Sequence, residues 1–210
     1  MVNTMEPVSG SPLELFLATR NEGKIREIEE LLKGCETSLT SLRDYPDAPE
    51  VVENGGSYRD NALKKARFFA EWSGKLTLAD DSGLEVDYLN GRPGVFSGRY
   101  AGDRAGDREN NRKLLRELKG IPSQKRGAVF RCTMVLVAPW GHVEVVEGEC
   151  RGKVALEERG EEGFGYDPIF VIPRCGKTVA ELSTAEKTRL SHRGKALRKL
   201  RKILKRYLGA

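Results

Sequence analysis

The sequence predicts a mixed α/β fold, and three observations support that expectation. Short apolar runs alternate with amphipathic helical segments along the first half of the chain. A stretch of alternating, β-type pattern follows in the middle. Helical periodicity then returns and holds to the C-terminal end. That order implies a sheet with helices packed on it, and two lobes around a cleft are one way to arrange it.

The elements follow in turn. Glu14 to Thr19 contains the apolar strand L-F-L-A-T. A helix is expected over Gly23 to Lys33, with Ile25, Ile28, Leu31 and Leu32 on one face and Asn21 as its N-cap. Thr37 to Leu42 reads as a second strand, and Arg43 to Gly56 as a loop rich in Pro, Asp and Gly. Tyr58 to Trp72 is helical, with Ala62, Ala66, Phe69 and Ala70 on one side. Leu76 to Ala79 is a strand that runs into Asp80-Asp81-Ser82-Gly83, and Leu84 to Leu89 is another. A glycine-rich loop, Asn90 to Asp103, precedes a helix over Asp107 to Leu118. Ala128 to Ala138 and Val143 to Cys150 flank Pro139-Trp140-Gly141-His142, a hairpin signal. Gly160 to Asp167 is a loop and Ile169 to Ile172 a strand. Thr184 to Leu190 is helical, with Ser183 or Thr184 as cap, and a last helix runs from Ser191 to Leu208.

The bulk numbers suit this plan. A chain of 210 residues, 39% hydrophobic and 32% charged, can bury a core under an ionic surface. Residues 1–12 read as a flexible tail and 13–210 as a single domain. No apolar run is long enough to span a bilayer, and Met1 to Pro12 lacks the basic-then-apolar pattern of a secretory signal. Cys35, Cys132, Cys150 and Cys175 are scattered, and the chain has only two histidines. We therefore expect buried or partly buried free thiols in a reducing cytosol, not a disulfide framework or a zinc cluster. The net charge of +5 agrees with an anionic ligand.

Five segments carry groups with chemical potential. Thr19-Arg20-Asn21-Glu22-Gly23-Lys24 stands where a strand ends and a helix starts. Helix N-terminal N–H groups attract phosphate, and Lys24 adds a full charge, although simple capping would use the same residues. Asp80 and Asp81 are adjacent carboxylates that need a positive partner, for which magnesium is suited; an Asp-rich turn is the alternative. Glu53 could complete a metal shell and Lys65 could meet a phosphate, while each taken separately reads as a surface charge. In Gly163-Phe164-Gly165-Tyr166-Asp167-Pro168 the glycines allow close approach and the aromatics can stack on a base. His192 and Arg193, at a helix start, could supply donors to a keto oxygen or phosphate.

Six segments, in this order, decide between these alternatives. They are L-A-T-R-N-E-G-K (17–24), N-A-L-K-K-A (61–66), A-D-D-S-G-L-E-V-D (79–87), G-R-P-G-V-F-S-G-R-Y-A-G (91–102), G-F-G-Y-D-P-I-F (163–170) and E-K-T-R-L-S-H-R-G-K-A-L (186–197). With them the chain resembles the inosine triphosphate pyrophosphatase family, also called XTP/dITP diphosphatases, along nearly all its length after the N-terminal tail. The resemblance implies a two-lobed α/β fold with a long central sheet, helices on its faces and the site between lobes. It implies hydrolysis of ITP, dITP or XTP to the monophosphate and pyrophosphate, clearing deaminated purines from the nucleotide pool. It implies a Mg2+-dependent, cytoplasmic homodimer.

By the same resemblance, Thr19, Arg20, Asn21, Glu22, Gly23 and Lys24 match the phosphate-binding segment. Arg20 replaces the small residue that relatives often carry. Asp81 matches the proton acceptor and a metal ligand, with Asp80 and Glu53 as supporting acidic positions. Lys65 matches a phosphate-facing lysine. Ser82, Phe164, Gly165, Tyr166, Asp167, Lys187, His192 and Arg193 match substrate-binding positions. His192, Arg193 or nearby backbone would donate to a 6-keto oxygen and reject the 6-amino group of adenine. One alternative is a related pyrophosphatase for another modified base. Another is a nucleic-acid-binding protein using the basic C-terminal helix, opposed by that helix's apolar positions Ala196, Leu197, Leu200, Ile203, Leu204 and Tyr207.

Overall fold

The protein is described from a computed structural model that covers residues 12–207. The expected tail, apart from Pro12, and Leu208 at the end of the last helix lie outside these residues. Among the described residues seven strands form one sheet in the order β2-β1-β3-β4-β5-β6-β7. β1 (Leu13–Leu17) runs parallel to β2 (Thr37–Ser41) and to β3 (Leu76–Val86). β4 (Gly127–Val137), β5 (Val143–Val154), β6 (Phe170–Ile172) and β7 (Lys177–Thr178) continue it with antiparallel pairings. The described residues also form five α-helices: α1 (Glu22–Leu32), α2 (Tyr58–Ser73), α3 (Asp107–Glu117), α4 (Thr184–Leu190) and α5 (His192–Tyr207).

Local chemistry accounts for the helix limits. Asn21 caps α1 by accepting from the Lys24 N–H at 3.0 Å. Ser57 caps α2 by accepting from Asp60 N–H, and Gly74 ends it in the left-handed conformation that glycine adopts without strain. Each helix then buries the stripe its periodicity marks. Ile25, Ile28 and Leu32 of α1 join Ala196, Leu197, Leu200 and Leu204 of α5 against β1, β3 and β4. Ala62, Ala66, Phe69 and Ala70 of α2 cover the opposite face with Phe16, Ala79 and Val135. A third cluster gathers Leu84, Val86, Leu114, Ala128, Phe130, Ile169 and Phe170 around the far ends of β3 and β4. Burying each such large side chain stabilises by about 1.5–3 kcal/mol, so Leu200→Ala in the first cluster should cost about 2–5 kcal/mol.

The three clusters explain where the site falls. β3 enters with Leu76 and Leu78 in the α1/α5 core and leaves with Leu84 and Val86 in the α3 core. Asp80, Asp81 and Ser82 occupy the interval between cores. The sequence offers two short strands, Leu76 to Ala79 and Leu84 to Leu89, with an Asp-rich turn as one reading of the interval, and the structure corrects this. β3 is continuous, with unbroken pairing to β4 from Thr77↔Val137 to Val86↔Ala128. The carboxylates can stay in the strand because side chains on its two faces compensate them, as described below. Leu89 ends a short 3-10 turn, not a strand, and a 3-10 helix (Gly94–Arg99) punctuates the glycine-rich loop.

The remaining expectations are placed as follows. The hairpin pairs over its whole length. The basic residues of α5, from Lys195 to Arg206, are exposed while its apolar side is core. All four cysteines are free, and Cys175 is exposed, not even partly buried as expected. No helix among the described residues is long and apolar enough to cross a membrane.

Candidate active site

Successive side chains of a strand point to opposite faces, and this separates Asp80 from Asp81. Asp80 turns toward α1 and α5. Its carboxylate, 2% exposed, lies 3.0 Å from Lys24 Nζ and 3.6 Å from Arg193 Nη2. Burial is the largest single influence and opposes ionisation. Lys24, Arg193 and Lys65 together outweigh it and pull the pKa down to about 2. The cluster extends through Glu27, which pairs with Arg193 at 2.7 Å and Lys187 at 2.6 Å. Lys187 also lies 2.7 Å from Asp167.

Asp81 turns toward α2 and a cavity of about 230 Å³. It is 7% exposed, and among the described residues no cation stands within salt-bridge distance of it. Its oxygens accept from Asn61 Nδ2 at 2.9 Å and Ser82 N–H at 2.8 Å. Burial raises its pKa, the Asn61 bond opposes that, and the Glu53 charge adds to it; the net direction is up. Glu53 lines the same cavity and pairs with Lys65 Nζ at 2.7 Å. Burial works against the Lys65 charge, but Glu53, Asp80 and Asp81 outweigh it and raise its pKa.

The 163–167 loop forms a second wall. A Cβ on Gly23 would overlap the Phe164 ring, so only glycine lets that ring lie on the start of α1. Lys187 Nζ stands 4.7 Å and the Arg193 guanidinium 5.2 Å from the ring centroid. Asp167 holds the loop by accepting from Phe164 N–H and pairing with Lys187. Tyr166 is buried and donates to Ser97 O at 2.9 Å, so it braces the wall. His192 stacks on Phe130 with centroids 4.6 Å apart. Burial, then the Arg193 and Lys187 charges, push its pKa well below 6.5, leaving a neutral imidazole. Arg193 spends Nη1 on Glu27 and Nη2 on Ser82 Oγ.

Most of the expected residues therefore converge. Asn21, Lys24, Glu53, Asp81, Ser82, Phe164, Gly165, Tyr166, Asp167, His192 and Arg193 line the cavity. Lys65 pairs with Glu53, and Asp80 with Lys24 and Arg193, while Gly23 and Lys187 line a neighbouring cavity with Glu27 and Phe164. Thr19 accepts from Asn21 N–H at 3.1 Å, within the turn. Arg20 is not brought in; its guanidinium donates to Leu42, Pro46 and Ala48 carbonyls. Glu22 pairs with Arg43 on the surface. The trio Asp80, Asp81 and Glu53 is not assembled, and among the described residues no group of three His, Cys, Asp or Glu side chains could hold a metal ion. Strand alternation is the reason.

What remains on the cavity side is Asp81 with Glu53. Two hard oxygen donors beside open space match a Mg2+ ion that keeps several waters and takes substrate oxygens. Sequence reasoning missed Asn61, Glu27, Arg99, Asp107, Asn110 and Asn111. Arg99 donates to Glu53 O at 3.0 Å, Asp107 accepts from Gly165 N–H at 2.6 Å, and Asn111 donates to Gly165 O at 3.0 Å. Asn61 and Arg99 lie inside segments already marked, but Asp81 and Glu53, the site residues they hold, are distant from them in sequence, and no local pattern reveals the pairing.

The profile of the Ham1 family matches residues 15–203. The dITP/XTP pyrophosphatase of Desulforamulus reducens is 49% identical over 92% of this chain and 96% of its own. That of Bacillus subtilis is 45% identical over 91% and 96%. Among solved structures, a HAM1 protein from Coxiella burnetii superposes with a TM-score of 0.83 at 40% identity, covering 92% of this chain and 99% of its own. A nucleoside-triphosphatase, dITP/XTP pyrophosphatase, from Mycobacterium abscessus gives 0.71 at 44% identity, covering 90% and 97%.

Proposed function

The chain belongs to the Ham1 family, and from that premise and its cavity we propose that it hydrolyses ITP, dITP and XTP to the monophosphate and pyrophosphate. The observation that carries this reading is the division of two neighbouring carboxylates. Asp80 is neutralised by Lys24 and Arg193, whereas Asp81 faces the cavity without a paired cation.

Asp81 accepts the proton of the water that attacks the α-phosphorus. Its raised pKa brings it nearer neutral pH, where a general base works best. Asn21 and Lys24, at the start of α1, bind phosphate oxygens. Lys24 and Lys65 steady the charge that builds on the departing pyrophosphate. Mg2+, held by Asp81 and Glu53, would supply charge neutralisation on the phosphates. Phe164 offers a face for the base. With the terminal nitrogens of Arg193 engaged by Glu27 and Ser82, neutral His192 and the loop backbone are left to donate to the 6-oxygen. Adenine would set its amino donor against those donors.

The free thiols fit a cytoplasmic setting, and the family likeness supports a homodimer in which residues 13–210 act as one domain. Pyrophosphate release from ITP, dITP, XTP, ATP, GTP and CTP, with and without magnesium, tests the reading. We expect fast, metal-dependent release from the first three only. Equal turnover of ATP would overturn the base argument.

A further inference from the structure

We propose that Asn61 is the positioning residue that sets Asp81 and the Glu53 loop relative to one another. Its side chain is buried on the first turn of α2. Nδ2 donates to Asp81 Oδ2 at 2.9 Å, and Oδ1 accepts from Gly55 N–H at 2.7 Å. Chemistry fixes this orientation. A flipped amide would set NH2 against N–H and oxygen against carboxylate. Only an amide serves, since one end must donate and the other accept.

The loop is built to receive it. A Cβ on Gly55 would stand 2.8 Å from Asn61 Oδ1 and 2.7 Å from Asp60 Cβ, closer than real Cβ contacts. Glycine therefore allows the loop backbone to approach the amide. Lys65, one turn on along the same face of α2, pairs with Glu53 Oε1 at 2.7 Å. One helical face thus holds the Asp81 carboxylate directly, and the loop at both Gly55 and Glu53. Misplacing either carboxylate lowers turnover more than binding, because the error is felt at the reacting centre.

This inference rests on the pyrophosphatase reading, and two variants separate the two. Asn61→Leu removes both bonds. Asn61→Asp keeps an acceptor for Gly55 N–H but loses the donor to Asp81. In both, kcat for ITP should fall on the order of 10–100-fold, as for partners that orient primary ligands. KM should stay within about threefold. Amide exchange across residues 51–57 should accelerate in Asn61→Leu and stay near wild type in Asn61→Asp. Circular dichroism confirms that the variants are folded, and Asn61→Asp carries the kcat test if Asn61→Leu is not. A kcat within about twofold of wild type in a folded variant overturns the proposal. So does unchanged exchange in folded Asn61→Leu. An inactive wild type would refute the pyrophosphatase reading instead, and the exchange data would then decide the clamp alone.

Discussion

The two faces of β3 at Asp80 and Asp81 make opposite use of the same side chain. On the α1/α5 face, Asp80 is the centre of a buried ionic cluster with Lys24, Arg193, Glu27 and Lys187. On the α2 face, Asp81 has only neutral donors, from Asn61 and Ser82. Burial is similar, but the charges around each differ, and the pKa values move apart: about 2 for Asp80, upward for Asp81. Two identical groups one residue apart thus take different work, one ordering the cations and the other remaining available for proton transfer.

The largest effect should come from breaking the reactive side. Asp81→Asn should lower kcat on the order of 10²–10⁴-fold. Its unfolding free energy should fall by no more than about 1–3 kcal/mol, since Gly55 N–H fixes the Asn61 amide and the new amide nitrogen leaves one donor at position 81 unpaired. Activity assays and urea denaturation on the same preparation check both halves. Breaking the other side should show first as stability. Asp80→Asn leaves Lys24 and Arg193 short of a buried counter-charge and should cost about 3–5 kcal/mol of unfolding free energy. A cost under about 1 kcal/mol would mean that Glu27 alone balances Arg193.

A smaller effect sharpens the electrostatics of the base wall. His192 is neutral in the fold because burial and the Arg193 and Lys187 charges lower its pKa. In the unfolded chain it protonates near its ordinary value of about 6.5, so below that pH the unfolded state holds more protons. Stability is complete above that value and declines as pH falls toward the depressed folded value. The loss approaches about 1.4 kcal/mol per pH unit. Unfolding of wild type and His192→Asn at about pH 7.5 and about pH 5.5 should show this extra loss in wild type only. The smallest effect belongs to the outer side of α5. Lys202 is exposed, and Lys202→Ala should change stability by no more than about 0.5 kcal/mol and leave kcat intact.

Much of this fold is legible in the sequence because its signals are local. The Asn21 cap, the α2 stripe of Ala62, Ala66, Phe69 and Ala70, and the β4–β5 hairpin depend on neighbours within a few positions. The continuity of β3 was not legible. An Asp-Asp-Ser-Gly run has turn chemistry on its own, and only long-range partners such as Arg193 and Asn61 keep it extended. The site shows the same boundary. Lys24, Asp81, Phe164 and His192 were nameable from motifs and reach the cavity. Arg20 stands in the same motif, yet the carbonyls of Leu42, Pro46 and Ala48 draw it away. Glu27 appears as an ordinary surface charge on α1 until Lys187 and Arg193 fold against it.

The division between Asp80 and Asp81 is tested most directly by titrating both carboxyl carbons by NMR in protein labelled with carbon-13 aspartate, assigned with the Asp80→Asn and Asp81→Asn variants. Asp80 should remain ionised down to the acid limit of the folded state, while Asp81 titrates above the ordinary aspartate value of about 3.9. Matching titrations, or Asp80 protonating first, would contradict the account.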